Sequence, residues 1–454
     1  MPVSVTAPGG IICVKSVSVT AVLGIDLGTS QVKALTCAPD GQALGQGSAG
    51  YDIAAPRDGW AESDPASWWR AVRTAVRAAA PAEVAAIAVT GQMHGLVLCT
   101  ERAVVLRPAI LWLDRRATAE MADYRRLPEQ LREVLGNPPA PGIAGPLALW
   151  LSRHEPAAYR RARWQLQPKD WLRFRLTGEA AADPSDASAT LLYDLPRDAW
   201  AVDVAEALGL RTDFLPPLRG SAQAAGELLP EAAGELGLPP GIPVATGCSD
   251  NAASLLAADL PGDGWALLTL GTGGQWMAPA SASAQPDPAG RTNLFRAVEG
   301  SYRLAGAQNI GVTLDWVRRA LNATWDELYA AAGPQRGRGP VFDPRLVSER
   351  WDAPDPPAAP PGGGWTGLTL AHGRDDLLHA ALLGVAGVLS DRLADLRAAG
   401  CAPRRVLVGG GGARNAAWRE LLSGVLGLPL VPAGTPWLTV RGATLLAQRM
   451  LTRG

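Results

Sequence analysis

The feature that most constrains this chain is a short pattern that occurs twice. Ile25-Asp26-Leu27-Gly28-Thr29-Ser30 and Leu268-Thr269-Leu270-Gly271-Thr272-Gly273 each end an apolar run in Leu-Gly-Thr and a small residue, then start a second β-rich run. The two copies head two α/β stretches of similar length, which points to a duplicated unit. The 454 residues agree with that, since one hydrophobic core rarely grows past about 250–300 residues. The fold class expected is therefore α/β, in two similar lobes, drawn at 21–248 and 249–454.

Each half can be followed from its copy. The run 21–26, the turn at Leu27–Ser30, the run through Cys37 and the turn Pro39-Asp40-Gly41 predict an antiparallel meander of three strands. A helix over 66–80 and a buried strand over 84–89 follow, with further helices over 146–153 and 169–176. The second half restarts with strands over 265–270 and 275–278. The Pro-, Gly- and Ala-rich stretch 353–364 predicts an irregular loop. A long amphipathic helix over 377–399 precedes a strand over 405–408, four glycines at 409–412 and a helix over 413–426. Residues 1–20 carry one lysine and a broken apolar stretch, and are expected to be a disordered extension.

Composition removes several functions. A net charge of −1, with acids and bases interspersed, gives no field to gather nucleic acid or acidic lipid. The five cysteines are odd in number and form no C-x-x-C pair, which fits a reducing cytoplasm. Four histidines without an H-E-x-x-H spacing exclude that class of metal hydrolase. No apolar run approaches the ~18–20 residues of a membrane span.

The candidate chemistry lies at strand ends. Asp26 with Gly28, Thr29 and Ser30 offers backbone N–H groups and hydroxyls to phosphate oxygens, and a carboxylate to Mg²⁺. An ordinary hairpin turn favours the same residues, but the repeat at Gly271-Thr272 suggests two turns clamping one nucleotide. Gly409–Gly412, between strand and helix, invites close backbone approach by a ligand. A literal G-x-G-x-x-G at Gly45–Gly50 has no helix pattern after it, and no P-loop occurs. Gly91-Gln92-Met93-His94-Gly95 ends a strand where open α/β sheets bind ligands. Ser249-Asp250-Asn251 follows another apolar run. Asp250 and Asn251 read either as a base with a hydroxyl-orienting amide or as the N-cap of the next helix.

Together these motifs resemble the FGGY family of carbohydrate kinases, most closely the xylulokinases, over about residues 22–447. Lys169-Asp170-Trp171-Leu172-Arg173, Ser185-Asp186-Ala187-Ser188, Gly367-Leu368-Thr369 and Gly410–Arg414 carry the resemblance further. It implies two ribonuclease-H/actin-like domains with ATP in the cleft between them, and phosphorylation of a sugar hydroxyl, D-xylulose first. By similarity Asp250 is the general base, Met93 and His94 touch the sugar, and Asn251 orients a hydroxyl. Asp26 manages Mg²⁺, and Thr29 and Thr272 lie along the phosphates. Gly311, Gly411 and Gly412 line the nucleoside pocket, with Asn415 near the base. The family leaves room for a homodimer. The chain departs from the xylulokinase pattern at Leu113, Leu147 and Leu383, and in the shortened stretch Ser348-Glu349-Arg350-Trp351. The rival expectations are a kinase for another ketose or polyol, a degenerate sugar-binding kinase, and an actin-like ATPase without sugar chemistry.

Overall fold

The computed structural model describes residues 21–79, 83–262, 264–333, 339–347, 349 and 362–453. The expected N-terminal extension, the loop as far as 361, and Ser348, Arg350 and Trp351 lie outside the described residues.

The first lobe opens with the predicted meander: β1 (Ala21–Leu27), β2 (Gln31–Cys37) and β3 (Ala43–Gly50). Helix α1 (Pro65–Ala79) crosses to β4 (Val84–Gly91), which pairs parallel with β1. Later come α2 (Pro168–Thr177), β5 (Ala224–Glu227), β6 (Pro243–Ala245), the two-residue β7 (Cys248–Ser249) and α3 (Asp250–Ala258). The sheet order is β5-β6-β4-β1-β2-β3, with β7 also on β4.

The second lobe repeats this plan. It contains β8 (Trp265–Leu270), β9 (Gly274–Ala280), β10 (Asn293–Arg296), β11 (Ser301–Ala307), α4 (Gly311–Ala320), α5 (Arg374–Ala398), β12 (Arg405–Gly409), α6 (Ala416–Leu426), β13 (Leu430–Pro432) and α7 (Leu438–Arg453). Its order is β10-β11-β9-β8-β12-β13. Thus β3-β2-β1-β4-β6 and β11-β9-β8-β12-β13 are the same arrangement: three antiparallel strands, then two parallel ones. Each sheet feeds its own apolar core.

Two local results explain sequence signals. The G-x-G-x-x-G at Gly45–Gly50 lies inside β3 rather than at a strand–helix turn. A Cβ on Gly45 or Gly47 would stand 2.3 or 2.1 Å from backbone oxygens of α1, so these glycines serve strand–helix packing. Helix α5 has the length and hydropathy of a membrane span, although its sequence is broken by charges. Its Leu378, Leu382, Val385, Leu389, Leu393 and Leu396 are buried in the second-lobe core. Helix α7 returns to the first lobe, where Val440, Ala443, Leu446 and Ala447 pack on Val22, Ala86, Ala252 and Ala253. The packing units therefore interleave across the division drawn at residue 248.

Candidate active site

The carboxyl ends of the parallel strands bring the sugar-side residues together. Register pairs Asp26 of β1 with Thr90 of β4, and Ser249 of β7 with Gly91. Asp26, the turn Gln92-Met93-His94 and the start of α3 therefore share one edge of the first sheet. Ser249 is the N-cap of α3, its hydroxyl accepting from the Ala252 N–H at 3.4 Å. Asp250 is the first helical residue and does not cap. Its Oδ1 accepts instead from the Asn251 N–H at 2.7 Å.

The electrostatics of the two carboxylates are unusual. Asp26 is 5% exposed; burial pushes it up to about 6, against the attraction of Lys33 on β2. Asp250, partly open to solvent, is pushed up to about 7 by lost hydration and by the neighbouring Asp26 charge. A carboxylate titrating near neutrality is a stronger base than one in water.

The sugar-type turn is held on every side. His94 has φ of 72°, strained for a residue with a side chain. Its N–H donates to Gln167 Oε1 at 2.7 Å, and its ring Nδ1–H to the Ala189 carbonyl at 2.8 Å. Met93 is buried, and its sulfur accepts from Asn251 Nδ2 at 3.4 Å. The first phosphate-type turn is tied to this region: the Tyr51 hydroxyl donates to the Gly28 carbonyl, and Gln92 Nε2 donates to Tyr51 at 3.2 Å. Trp112 Nε1 donates to Thr29 Oγ1 at 2.9 Å.

Beneath Asp250 lies a buried ionic cluster. Lys169 Nζ meets Asp170 at 2.5 Å, Asp183 at 3.0 Å and Asp186 at 3.7 Å, all fully enclosed. Burial opposes the ammonium, but the three carboxylates hold its pKa up. Burial likewise pushes Asp186 well up, reinforced by its acidic neighbours. The cluster reaches the site through Ser185, whose hydroxyl donates to Asp183 at 2.6 Å and accepts from the Ser249 N–H at 2.9 Å.

At the ends of β8 and β12 the second sheet offers mainly backbone. Gly271 and Thr272 are exposed at the end of β8. Gly311 opens α4 against this turn, and the Val312 N–H donates to the Thr272 carbonyl at 2.9 Å. A Cβ on Gly311 would stand 2.1 Å from the Gly271 oxygen. Gly410, at φ of 90°, would put one 2.4 Å from the Leu270 oxygen. Gly411 and Gly412 form a short 3₁₀ turn, and Asn415 caps α6 by accepting from the Trp418 N–H at 3.1 Å.

Mg²⁺ fits the donor set of the first turn. Asp26 Oδ1 and Gln92 Oε1 are buried without a hydrogen-bond partner. Among the described residues no group of three or more metal-ligating side chains occurs. That suits an ion that keeps several waters and binds substrate phosphates.

Sequence reasoning missed Tyr51, which sits in no recognisable pattern, and read Trp112 only as the first residue of an altered Trp-Asn-Asp stretch. It also passed over the Lys169 cluster as chemistry, although Lys-Asp inside an apolar helix was a readable signal. A cavity of about 980 Å³ lies apart from the site, between 124–139, 191–196 and 281–301. Its Arg296 is already paired with Asp198 at 3.0 Å and with Ser301 at 3.1 Å.

Comparison with known proteins agrees with this geometry. Residues 21–257 match the N-terminal domain of the FGGY family of carbohydrate kinases, and 266–451 match its C-terminal domain. The xylulose kinase of Escherichia coli K12 is 34% identical over 416 residues, covering 90% of this chain and 85% of that protein. The structure of the xyloylose kinase of Brucella ovis superposes with a TM-score of 0.86 at 33% identity, covering 96% and 91% of the two chains. That of the xylulose kinase of Rhodospirillum rubrum gives 0.84 at 30%, covering 96% and 90%. With both domain types in order along nearly its whole length, this chain belongs to the FGGY family of carbohydrate kinases.

Proposed function

We propose that the chain transfers the γ-phosphoryl group of ATP to the terminal hydroxyl of D-xylulose, giving D-xylulose 5-phosphate and ADP. The observation that carries this reading is Asp250. It stands free of the capping role at the start of α3, with its carboxyl raised to about 7, beside the Met93–His94 turn. The similarity to xylulose kinases supports the choice of sugar.

In this mechanism Met93 and His94 contact the sugar and Asn251 orients its hydroxyl. As the hydroxyl oxygen forms its bond to the γ-phosphorus, the bond from phosphorus to the ADP oxygen breaks. The hydroxyl proton passes to an Asp250 carboxylate oxygen. Most of the acceleration comes from alignment and charge neutralisation. Thr29 and Thr272 lie along the phosphates, with Gly28, Ser30 and Gly271 leaving room for them. Gly311, Gly411, Gly412 and Asn415 receive the nucleoside. Asp26, with Gln92 beside it, would hold Mg²⁺, which supplies charge neutralisation on the phosphate oxygens. Closure of the lobes excludes water, which would otherwise accept the phosphoryl group.

Coupled ADP release, measured with and without xylulose and across a panel of ketoses and polyols, tests the reading. Xylulose should raise ADP production well above basal ATPase and outpace the rest of the panel. Faster turnover of ribulose, gluconate or glycerol would overturn the substrate.

A further inference from the structure

The sugar-side constellation continues into the other lobe. Tyr302 of β11 is fully buried, and its hydroxyl points at Met93 Sδ from 3.8 Å. Burial, reinforced by the Asp250 charge, pushes the Tyr302 phenol well up, and the Ser249 and Asn251 side chains oppose that shift. Tyr302 is the cross-strand partner of Phe295 on β10, with ring centroids 5.8 Å apart. Phe295 leans in turn on the His94 ring, also at 5.8 Å. Two aromatic residues from one face of the second sheet therefore touch the turn and helix start that form the first-lobe site.

This hairpin is fixed to the first lobe. Strand β10 is an edge strand, and first-lobe side chains take up its outward backbone groups. Asn137 exchanges two hydrogen bonds with the Leu294 backbone, both at 2.9 Å, and the Arg296 N–H donates to Ser188 Oγ at 3.0 Å. Tyr302 thus has a defined place relative to Met93 and Asn251. A buried phenol needs hydrogen-bond partners, and the nearest are the groups read as receiving the sugar. Met93 has a flexible, weakly accepting thioether. Asn251 Nδ2 already donates to that sulfur, and a rigid hydroxyl meeting the same sulfur limits the freedom of the pair.

We propose that Tyr302 is a positioning residue for the phosphoryl transfer: its hydroxyl, supplied by the nucleotide-side sheet, holds Met93 and Asn251 in the arrangement that receives the sugar. This rests on the reading of Met93 and Asn251 as sugar contacts. It makes the sugar site a product of both lobes rather than of the first alone.

The test is Tyr302→Phe, which keeps the ring and its packing and removes the hydroxyl. Sugar affinity, by calorimetry without nucleotide, and sugar KM should both weaken by about tenfold, the scale of one buried hydrogen bond. The KM for ATP and the melting temperature should stay near the parent values. A Tyr302 that only fills the core would leave sugar affinity unchanged. Met93→Leu and the double variant complete a cycle: the double should cost clearly less than the two singles together, because both act on one cluster. Additive costs, unchanged sugar affinity, or equal losses for sugar and ATP would overturn the proposal. If the parent does not bind xylulose, the substrate assignment fails by itself, and the same cycle with the sugar it does bind tests Tyr302.

Discussion

The two lobes share one sheet plan and differ in what stands at its strand ends. Register makes the comparison position by position: Asp26 pairs with Thr90 in the first sheet, and Thr269 pairs with Gly409 in the second. Thr269 therefore stands where Asp26 does, and Gly410, Gly411 and Gly412 stand where Gly91, Gln92 and Met93 do. The first lobe fills its strand ends with a carboxylate, an amide, a thioether and an imidazole. The second has a threonine at the position of Asp26 and bare glycine backbone at the positions that follow. Proton transfer and sugar recognition need side chains of particular chemistry, whereas a polyphosphate is held well by close N–H groups. On the proposed reading, one repeated scaffold serves both substrates, and the residues at its strand ends divide the work.

The first way to break this comparison is Asp250→Asn. If chemistry resides in the first lobe, turnover should fall by about 10²–10⁴-fold, the usual contribution of a general base. Sugar and ATP affinities should change far less, since the amide can still accept a hydrogen bond. The alternative of a helix cap is already weakened, because Ser249 does the capping. Near-parent turnover would move the base elsewhere, to Asp26 first.

A second variant addresses what supports that chemistry. The Asp250 region rests on the Lys169 cluster, and among the described residues no such buried cluster lies under the glycine run. Lys169→Met should destabilise the fold by roughly 3–5 kcal/mol, because it leaves Asp170 and Asp183 buried without their cation. Denaturant unfolding checks this, and mild acid should recover part of the loss as carboxyls take up protons. A loss under about 1 kcal/mol would mean that water or Arg173, 4.0 Å from Asp170, already neutralises the cluster.

The third variant sharpens the other side. Gly410→Ala forces a Cβ toward the Leu270 oxygen in a backbone conformation that side chains rarely adopt. About 1–3 kcal/mol of strain should raise the KM for ATP roughly tenfold and leave sugar affinity alone. Equal damage to both substrates would mean that the lobes do not divide the work as the registers suggest.

The sequence carried the duplication, the meanders, the phosphate-type turns and the glycine run, because short-range patterns of apolar runs and turn residues specify them. It also carried Asp250-Asn251, but could not separate base from cap. The cap depends on which residue adopts extended φ/ψ before α3, and that is Ser249, which leaves Asp250 available for the proposed role. Tyr302 and Phe295 were illegible, since they reach the site only when a hairpin of one lobe docks on the other. The family departures also needed three dimensions. Leu147 is fully buried in an apolar cluster, where a lysine would need a partner, while Leu113 and Leu383 are exposed at 42% and 38%.

The smallest expected effect is the most specific, because it asks what the first lobe loses in stability by holding its carboxylates. Asp250 and Asp26 sit at about 7 and about 6 in the fold, against 3.8 for a free aspartate. Between about pH 4 and pH 7 the folded chain therefore holds protons that the unfolded chain has released. Stability should decline as pH rises through that window and level off above it. Turnover runs the other way, since only ionised Asp250 accepts a proton, and should rise through an apparent pKa near 7. Asp250→Asn cannot ionise, so it should melt a few degrees above the parent at pH 8 and close to it at pH 5. Gly410→Ala leaves both carboxylates in place and should keep the parent's slope. If Asp250→Asn melts at or below the parent temperature at pH 8, the charged carboxylate is not under strain. The proposed chemistry would then come at no cost in stability, and the contrast with the glycine run of the second lobe would be one of shape alone.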